Sequence, residues 1–226
     1  MATPSSRSPE RAVPRLDRRQ RQRARTIDEA LEHALEIMTE HGVGALTVSE
    51  MARRMGIRGP SLYKYFPSLH AVYDLAFARG LAAHHQAIWT AIEQLPRGVQ
   101  RLRAATRATV AWCVSNPALA QLMFWRPVPG FAPSPTTFQA SESDMGDMRA
   151  ELAQAVRLGQ LDEAADSSDA VRLLTVVMSG LVSQQMANEP GMPYVTGAFT
   201  RLTDEAFEMF LAHYQRRGGD HANPRS

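Results

Sequence analysis

Residues 47–66 read TVSEMARRMGIRGPSLYKYF, and this stretch decides the fold. Thr47 and Glu50 have capping-box spacing, which starts a helix just after Thr47. Val48, Met51, Ala52 and Met55 supply its small apolar face, and Gly56 stops it. Ile57 begins the connection. Pro60 suits the first turn of a second helix, where no N–H is needed, and Pro67 ends that helix. Two short helices joined by a tight glycine-containing turn make a helix-turn-helix.

The second helix divides its residues between two tasks. Leu62 and Phe66 stand four apart, so they share one face and anchor inward. Gly59, Pro60 and Ser61 are small or flat enough to approach a duplex whose major groove is about 12 Å wide. Tyr63, Lys64 and Tyr65 carry donors for phosphates, and the tyrosine rings can lie against bases or sugars. The helix starts at Thr47 and Pro60 present backbone N–H groups suited to phosphate oxygens.

Charge follows the motif. The chain has 226 residues and a net charge of +2, yet residues 1–70 carry 12 cations against 8 anions and the remainder is net acidic. A basic N-terminal third points to a polyanion such as double-stranded DNA. Proline punctuates the rest. The proline-free stretches 15–59, 68–95, 97–116, 136–189 and 194–223 have helical periodicity or helix-forming composition, and clean period-2 patterns are missing. The fold class is therefore all-α, with about nine helices.

The expected order is a basic Pro/Ser/Arg-rich arm over 1–21, disordered until it meets a partner, then a DNA-binding domain over 22–82 containing the 47–66 motif. A larger helical effector and dimerisation domain spans 83–217, and a polar tail 218–226. The first helix is placed at Thr26, where Thr26 and Glu29 again have capping-box spacing. Further helices are expected near 68–95 (interrupted near Gly80), 98–115, 117–125, 137–158, 167–188 and 197–216.

The 47–66 stretch resembles the DNA-binding signature of the Tet repressor (TetR) family of bacterial regulators. The likeness runs strongly over about 22–82: a capped first helix with a Gly near its end, L-T-V-x-x-M-A, G-I, then P-S-L-Y-x-Y-F. Beyond residue 83 it extends only to helix count and length. The resemblance implies a three-helix DNA-binding domain, a linking fourth helix, and a homodimeric repressor released from a near-palindromic operator by a small molecule. It places base or groove contacts on Ser49, Arg58, Gly59, Pro60, Ser61 and Tyr63, and phosphate contacts on Thr47, Lys64 and Tyr65. One position departs: Leu69 stands where the family often has a phosphate-binding lysine, and the arginines of the arm are a candidate replacement.

The middle third is rich in large apolar side chains. His85, Trp89, Trp112, Gln121, Phe124, Trp125, Phe138 and Met178 are the candidate lining of a ligand pocket, with the Pro-rich loop 126–135 as its mobile mouth. No charge dominates this set, so the expected effector is apolar or aromatic. Val171, Leu174, Met178, Leu181 and Val182, with Phe199, Leu202, Ala206, Phe207, Phe210 and Leu211, form stripes on the last two helices. Helices 167–188 and 197–216 are thus the expected homodimer pair.

The other chemistries are thinly represented. His84 and His85 are adjacent and point about 100° apart on a helix, a poor metal face. Cys113 is the only cysteine and sits among apolar residues. No catalytic constellation, cofactor, metal site or membrane span is expected, and a cytoplasmic, non-enzymatic regulator is the reading. Two alternatives remain: an effector-independent or architectural DNA-binding dimer with a filled core, and a helical enzyme in which the motif is coincidental.

Overall fold

A computed structural model of the chain describes residues 17–215. Among these, nine α-helices and three single 3₁₀ turns form the molecule, and there is no strand. The helices are α1 (Arg18–His41), α2 (Val48–Arg54), α3 (Gly59–Leu62), α4 (Leu69–Ile92), α5 (Val99–Ser115), α6 (Pro117–Phe124), α7 (Pro135–Arg157), α8 (Ser168–Asn188) and α9 (Thr203–His213). Residues 1–16 of the arm expected over 1–21, and the tail expected from Gly218, lie outside the described residues.

The first helix starts earlier than Thr26. Asp17 caps it: the carboxylate accepts from the Gln20 backbone N–H (2.7 Å) and the Gln20 side chain accepts from the Asp17 N–H (3.0 Å). That reciprocal pair satisfies two donors, so the helix begins at Arg18 and residues 18–21 are helical rather than part of an arm. Thr26 lies inside the helix, its hydroxyl donating to the Gln22 carbonyl. Ala30, Leu31, Ala34, Ile37 and Met38 form the buried stripe, and Gly42 (φ 88°) ends the helix.

The N-terminal cap of α2 is half of the expected box. Thr47 accepts from the Glu50 N–H (3.2 Å), but the Glu50 carboxylate turns away to Arg53 and Arg54. Arg54 gathers three acids from two helices: Glu40 at 2.5 Å and Glu36 at 3.6 Å on α1, and Glu50 at 3.1 Å on α2. Its side chain is 15% exposed, so this cluster clamps α2 onto α1.

Helix α4 is unbroken. The absence of a side chain at Gly80 lets α6 pack close, since an added Cβ there would lie 2.6 Å from the Met123 sulfur. The first half of α4 packs on the N-terminal bundle of α1, α2 and α3, where the buried Tyr73 hydroxyl donates to the Val43 carbonyl (2.8 Å). Its second half packs on α5 and α7. The last helix is shorter than the expected 197–216. Side chains of α8 and the residue after it take up the N–H groups ahead of α9: Gln185 accepts from Phe199 (3.1 Å) and Thr200 (3.3 Å), and Glu189 from Ala198 (2.7 Å). Those residues therefore form a loop and a 3₁₀ turn before α9 begins.

The Arg54 cluster makes stability pH-dependent. Hydrogen bonds from Arg53 and then Arg54 pull the Glu50 carboxyl from 4.5 down to about 2, and Arg54 also lowers Glu40. Folded values below the unfolded ones mean a contribution fully present above about pH 4.5 and lost as pH falls towards 2. Arg54→Ala should lower the melting temperature at pH 7, with the gap to wild type narrowing towards about pH 2.5. Thermal melts at the two pH values check this; a gap of equal size at both contradicts it.

Candidate nucleic-acid interface and inner cavity

Helix α3 is only one turn long, and Tyr63, Lys64 and Tyr65 continue it as a turn. Tyr65 and Phe66 N–H groups both bond to the Leu62 carbonyl (2.9 Å each), which fixes the turn. Leu62 (2% exposed) and Phe66 (6%) drive inward, while Tyr63 is 57% exposed. Thr47, Ser49, Arg58, Pro60 and Lys64 are also exposed, and Gly59, Ser61 and Tyr65 are half-buried. All nine sequence-derived contact residues thus keep some access to solvent, on the α2 start and the α3 segment. Helix geometry explains the division: the positions four apart are consumed as anchors, so those between them must point out.

The ridge is braced from α1. Arg23 donates to the Lys64 carbonyl (2.9 Å) and lies over the Tyr65 ring, 5.4 Å from its centroid. Leu69 is half-buried at the first position of α4, behind the Ser68 cap.

A second feature lies at the far end of α4. A cavity of about 400 Å³ is walled by α4, α5, α7 and α8. Ile88, Trp89, Leu102, Leu174 and Met178 make its apolar body, and His85 also faces it. Three of the eight candidate lining residues are therefore in place: His85, Trp89 and Met178. The other five lie elsewhere. Trp112 is buried against His84 (ring centroids 5.1 Å). Gln121, Phe124, Trp125 and Phe138 are exposed, with the Trp125 indole N–H donating to Ser183 (3.1 Å). Ring content carries no facing information, and α6 turns its residues away from the space between α4 and α7.

The loop 126–135 is not the mouth of this cavity. It straps the opposite end of α4: Phe131 packs on Tyr73 (5.6 Å) and His70 (5.9 Å), and the Ser134 N–H donates to Asp74 (2.7 Å). Trp89, which does line the cavity, is half-exposed.

The cavity also has a charged end that the sequence reading lacked. Glu151 of α7 accepts from Arg97 (2.8 Å) and from the Gly98 N–H (2.9 Å), and sits 3.9 Å from Arg101. Arg101 meanwhile fastens the turn after α4, donating to the carbonyls of Leu95 (2.8 Å) and Glu93 (3.4 Å). The four-residue spacing of Arg97 and Arg101 was visible in the sequence; their acidic partner, 54 residues from Arg97, was not. No group of three or more metal-ligating side chains occurs among the described residues, and none of their helices is long and apolar enough to cross a membrane.

Two family models match the chain. One, for bacterial regulatory proteins of the tetR family, covers residues 30–73; the other, for the tetracycline-repressor-like C-terminal domain, covers residues 102–213. The chain belongs to the TetR family. The match to the class D tetracycline repressor protein of Escherichia coli is 33% identical over 58 residues, 26% of this chain and 27% of that repressor. The chain thus aligns with about a quarter of that curated relative's length. The TetR fold extends further. The regulator PfmR of Thermus thermophilus superposes with a TM-score of 0.62 at 19% identity, covering 81% of this chain and 97% of PfmR. FadR of Bacillus subtilis, solved with stearoyl-CoA, gives 0.67 at 13% identity, covering 82% and 97%.

The two faces of the TetR-type reading segment should separate on mutation. Leu62→Ala leaves a cavity in the small bundle and should cost ~2–5 kcal/mol. Tyr63→Ala removes an exposed ring and should change stability by no more than ~0.5 kcal/mol. Urea unfolding of both variants measures the difference.

Proposed function

We propose that this chain is a homodimeric, sequence-specific DNA-binding repressor, released from a near-palindromic operator when a small amphipathic molecule enters the α4–α8 cavity. The observation that carries the reading is the exposed Tyr63–Lys64 ridge held up by buried Leu62 and Phe66. Such a ridge suits insertion into a major groove, with Lys64 and Tyr65 on phosphates and Ser49, Arg58, Ser61 and Tyr63 towards base edges. In this role the protein binds and releases, catalyses nothing, and works in the cytoplasm where its DNA is.

Helix α4 supports the link between ligand and DNA. Its 24 residues span ~36 Å, from the strap at His70–Asp74 to the cavity at Trp89. A tilt of about 5° imposed at the cavity displaces the far end by ~3 Å, enough to misplace a reading head. A ligand that prefers the tilted state by a few kcal/mol shifts the population accordingly. The cavity volume of about 400 Å³ lies in the small-molecule range. Its apolar body favours a hydrophobic frame, as expected of a largely hydrophobic effector, and Arg97 and Glu151 favour a polar group at one end. The complex of FadR with stearoyl-CoA supports ligand occupancy of this fold.

The dimer reading shifts its residues. Of the stripe residues, Val171, Leu174, Met178, Val182, Phe207 and Phe210 are buried in the subunit's own core, so these six are not themselves the contact. The outward faces of α8 and α9 retain Val176 (66% exposed), Met209 (75%) and, just before α9, Leu202 (40%), with Gly180 exposed on α8. These are the proposed two-fold contact, α8 and α9 of each protomer forming a four-helix bundle.

Selection of bound fragments from genomic DNA, followed by footprinting, tests the reading: a symmetric protected site is expected. Lys64→Ala should then flatten the dependence of log K on log[salt] by about one unit. Failure to enrich any sequence overturns the proposal.

A further inference from the structure

The polar side chains of the α4–α8 cavity are mostly engaged by the protein itself. The Thr106 hydroxyl donates to the Leu102 carbonyl (2.8 Å), and the Thr109 hydroxyl pairs with His84 (3.2 Å). Glu151 holds Arg97 (2.8 Å), and Arg101 is bonded to the carbonyls of Leu95 and Glu93. Asp147 of α7 differs. It lines the same cavity, is exposed, and forms no hydrogen bond or ion pair among the described residues. Of the arginines and acids on the cavity wall, it alone has a charge that no neighbouring side chain answers.

The sign of that charge selects the occupant. Asp147 and Glu151 stand four residues apart, so they share one face of α7, ~6 Å apart along it. An anionic head group entering here meets both carboxylates, and reaches Arg97 only by competing with Glu151. A cationic head group breaks no existing bond and gains Asp147 as its counter-charge. Because Asp147 is exposed, the cation stays partly in water, and the pair avoids the desolvation cost of a buried charge. Trp89, half-exposed on the same cavity, is the aromatic type that attracts a cation best.

We infer that the effector of this cavity is a lipophilic cation, an amine protonated at neutral pH on a hydrophobic frame, with Asp147 as its counter-charge. This rests on the reading of the cavity as an effector site given above. The frame lies on Ile88, Leu102 and Met178, and the ammonium group stays on the solvent side with Asp147. The intact Arg97–Glu151 pair and the second carboxylate turn away acids of the same size, so the site selects by charge as well as by shape.

The test titrates three molecules with the same alkyl chain and different heads, decylammonium, decanol and decanoate, into the full chain at pH 7, below micelle-forming concentrations, by calorimetry. The amine is protonated at this pH. Wild type should bind decylammonium about five-fold more tightly than decanol, and decanoate more weakly than decanol. Asp147→Asn should bring decylammonium down to the affinity of decanol, and Asp147→Lys should reverse the order in favour of decanoate. Glu32→Gln, an equal charge change on exposed α1 away from the cavity, should keep the wild-type order. Asp147→Asn removes one of two like charges at four-residue spacing, so its melting temperature should not fall below that of wild type. Decylammonium bound no more tightly than decanol by wild type, or a preference for it that survives in Asp147→Asn, overturns the cation inference and leaves the effector reading standing. If none of the three binds, the effector reading of the cavity and this inference fall together.

Discussion

One continuous helix couples the two halves of this molecule. Over its first turns α4 buries Val72, Tyr73, Ala76 and Phe77, and the Tyr73 hydroxyl reaches across to the Val43 carbonyl. Its later residues Ile88, Trp89 and Ile92 form one wall of the cavity. An α-helix resists bending because every internal N–H is bonded four residues back. The helix therefore spans from Trp89 to His70 as one stiff element, and the strap of Phe131 and Asp74 ties the His70 end of α4 to the loop after α6. Gly80 keeps α4 and α6 closely packed at the midpoint of α4.

The DNA-binding bundle is small, and its stability does not come from apolar burial alone. Three helices share a core of Ala30, Leu31, Ala34, Met51 and Leu62, and the Arg54 cluster adds a polar clamp at its edge. Arg23 serves a parallel purpose, holding the turn that displays Tyr63 and Lys64. Both clamps join residues distant in sequence, and both leave the reading ridge open to solvent. Rigidity behind the ridge matters for recognition because a preorganised surface loses less freedom on binding.

The polar end of the cavity has a structural duty besides any contact with a ligand. Glu151 and Gln160 accept from the first N–H groups of α5, while Arg101 holds the carbonyls of Glu93 and Leu95 just after α4. The turn between α4 and α5 is thus fastened by side chains from α5, α7 and the segment after α7. A polar group entering at Arg97 would compete within this set, which puts cavity chemistry directly on the end of the coupling helix. At Gly98 the backbone has a positive φ (98°), and a side chain there would strike Gln160, so glycine is required for the fastening to close.

Local spacing was enough to establish the all-helical class, the motif over 47–66 and the inward anchoring of Leu62 and Phe66. Caps, glycines, prolines and positions four apart act within one or two turns, and the chain cannot evade them. The Asp17–Gln20 cap was equally local and present in the letters, although the Thr26–Glu29 pair offers the same spacing and misdirects the reading. Everything else waited on packing between distant segments. Packing set Glu151 beside Arg97, drew Glu36, Glu40 and Glu50 around Arg54, and sent Trp112, Phe124 and Trp125 away from the cavity that Trp89 lines. It also drew Val171, Leu174, Met178, Val182, Phe207 and Phe210 of the α8 and α9 stripes into the subunit's own core. Periodicity states which face of a helix is apolar, but the identity of the surface that covers it depends on how the helices cross, and that is a property of the whole packed chain.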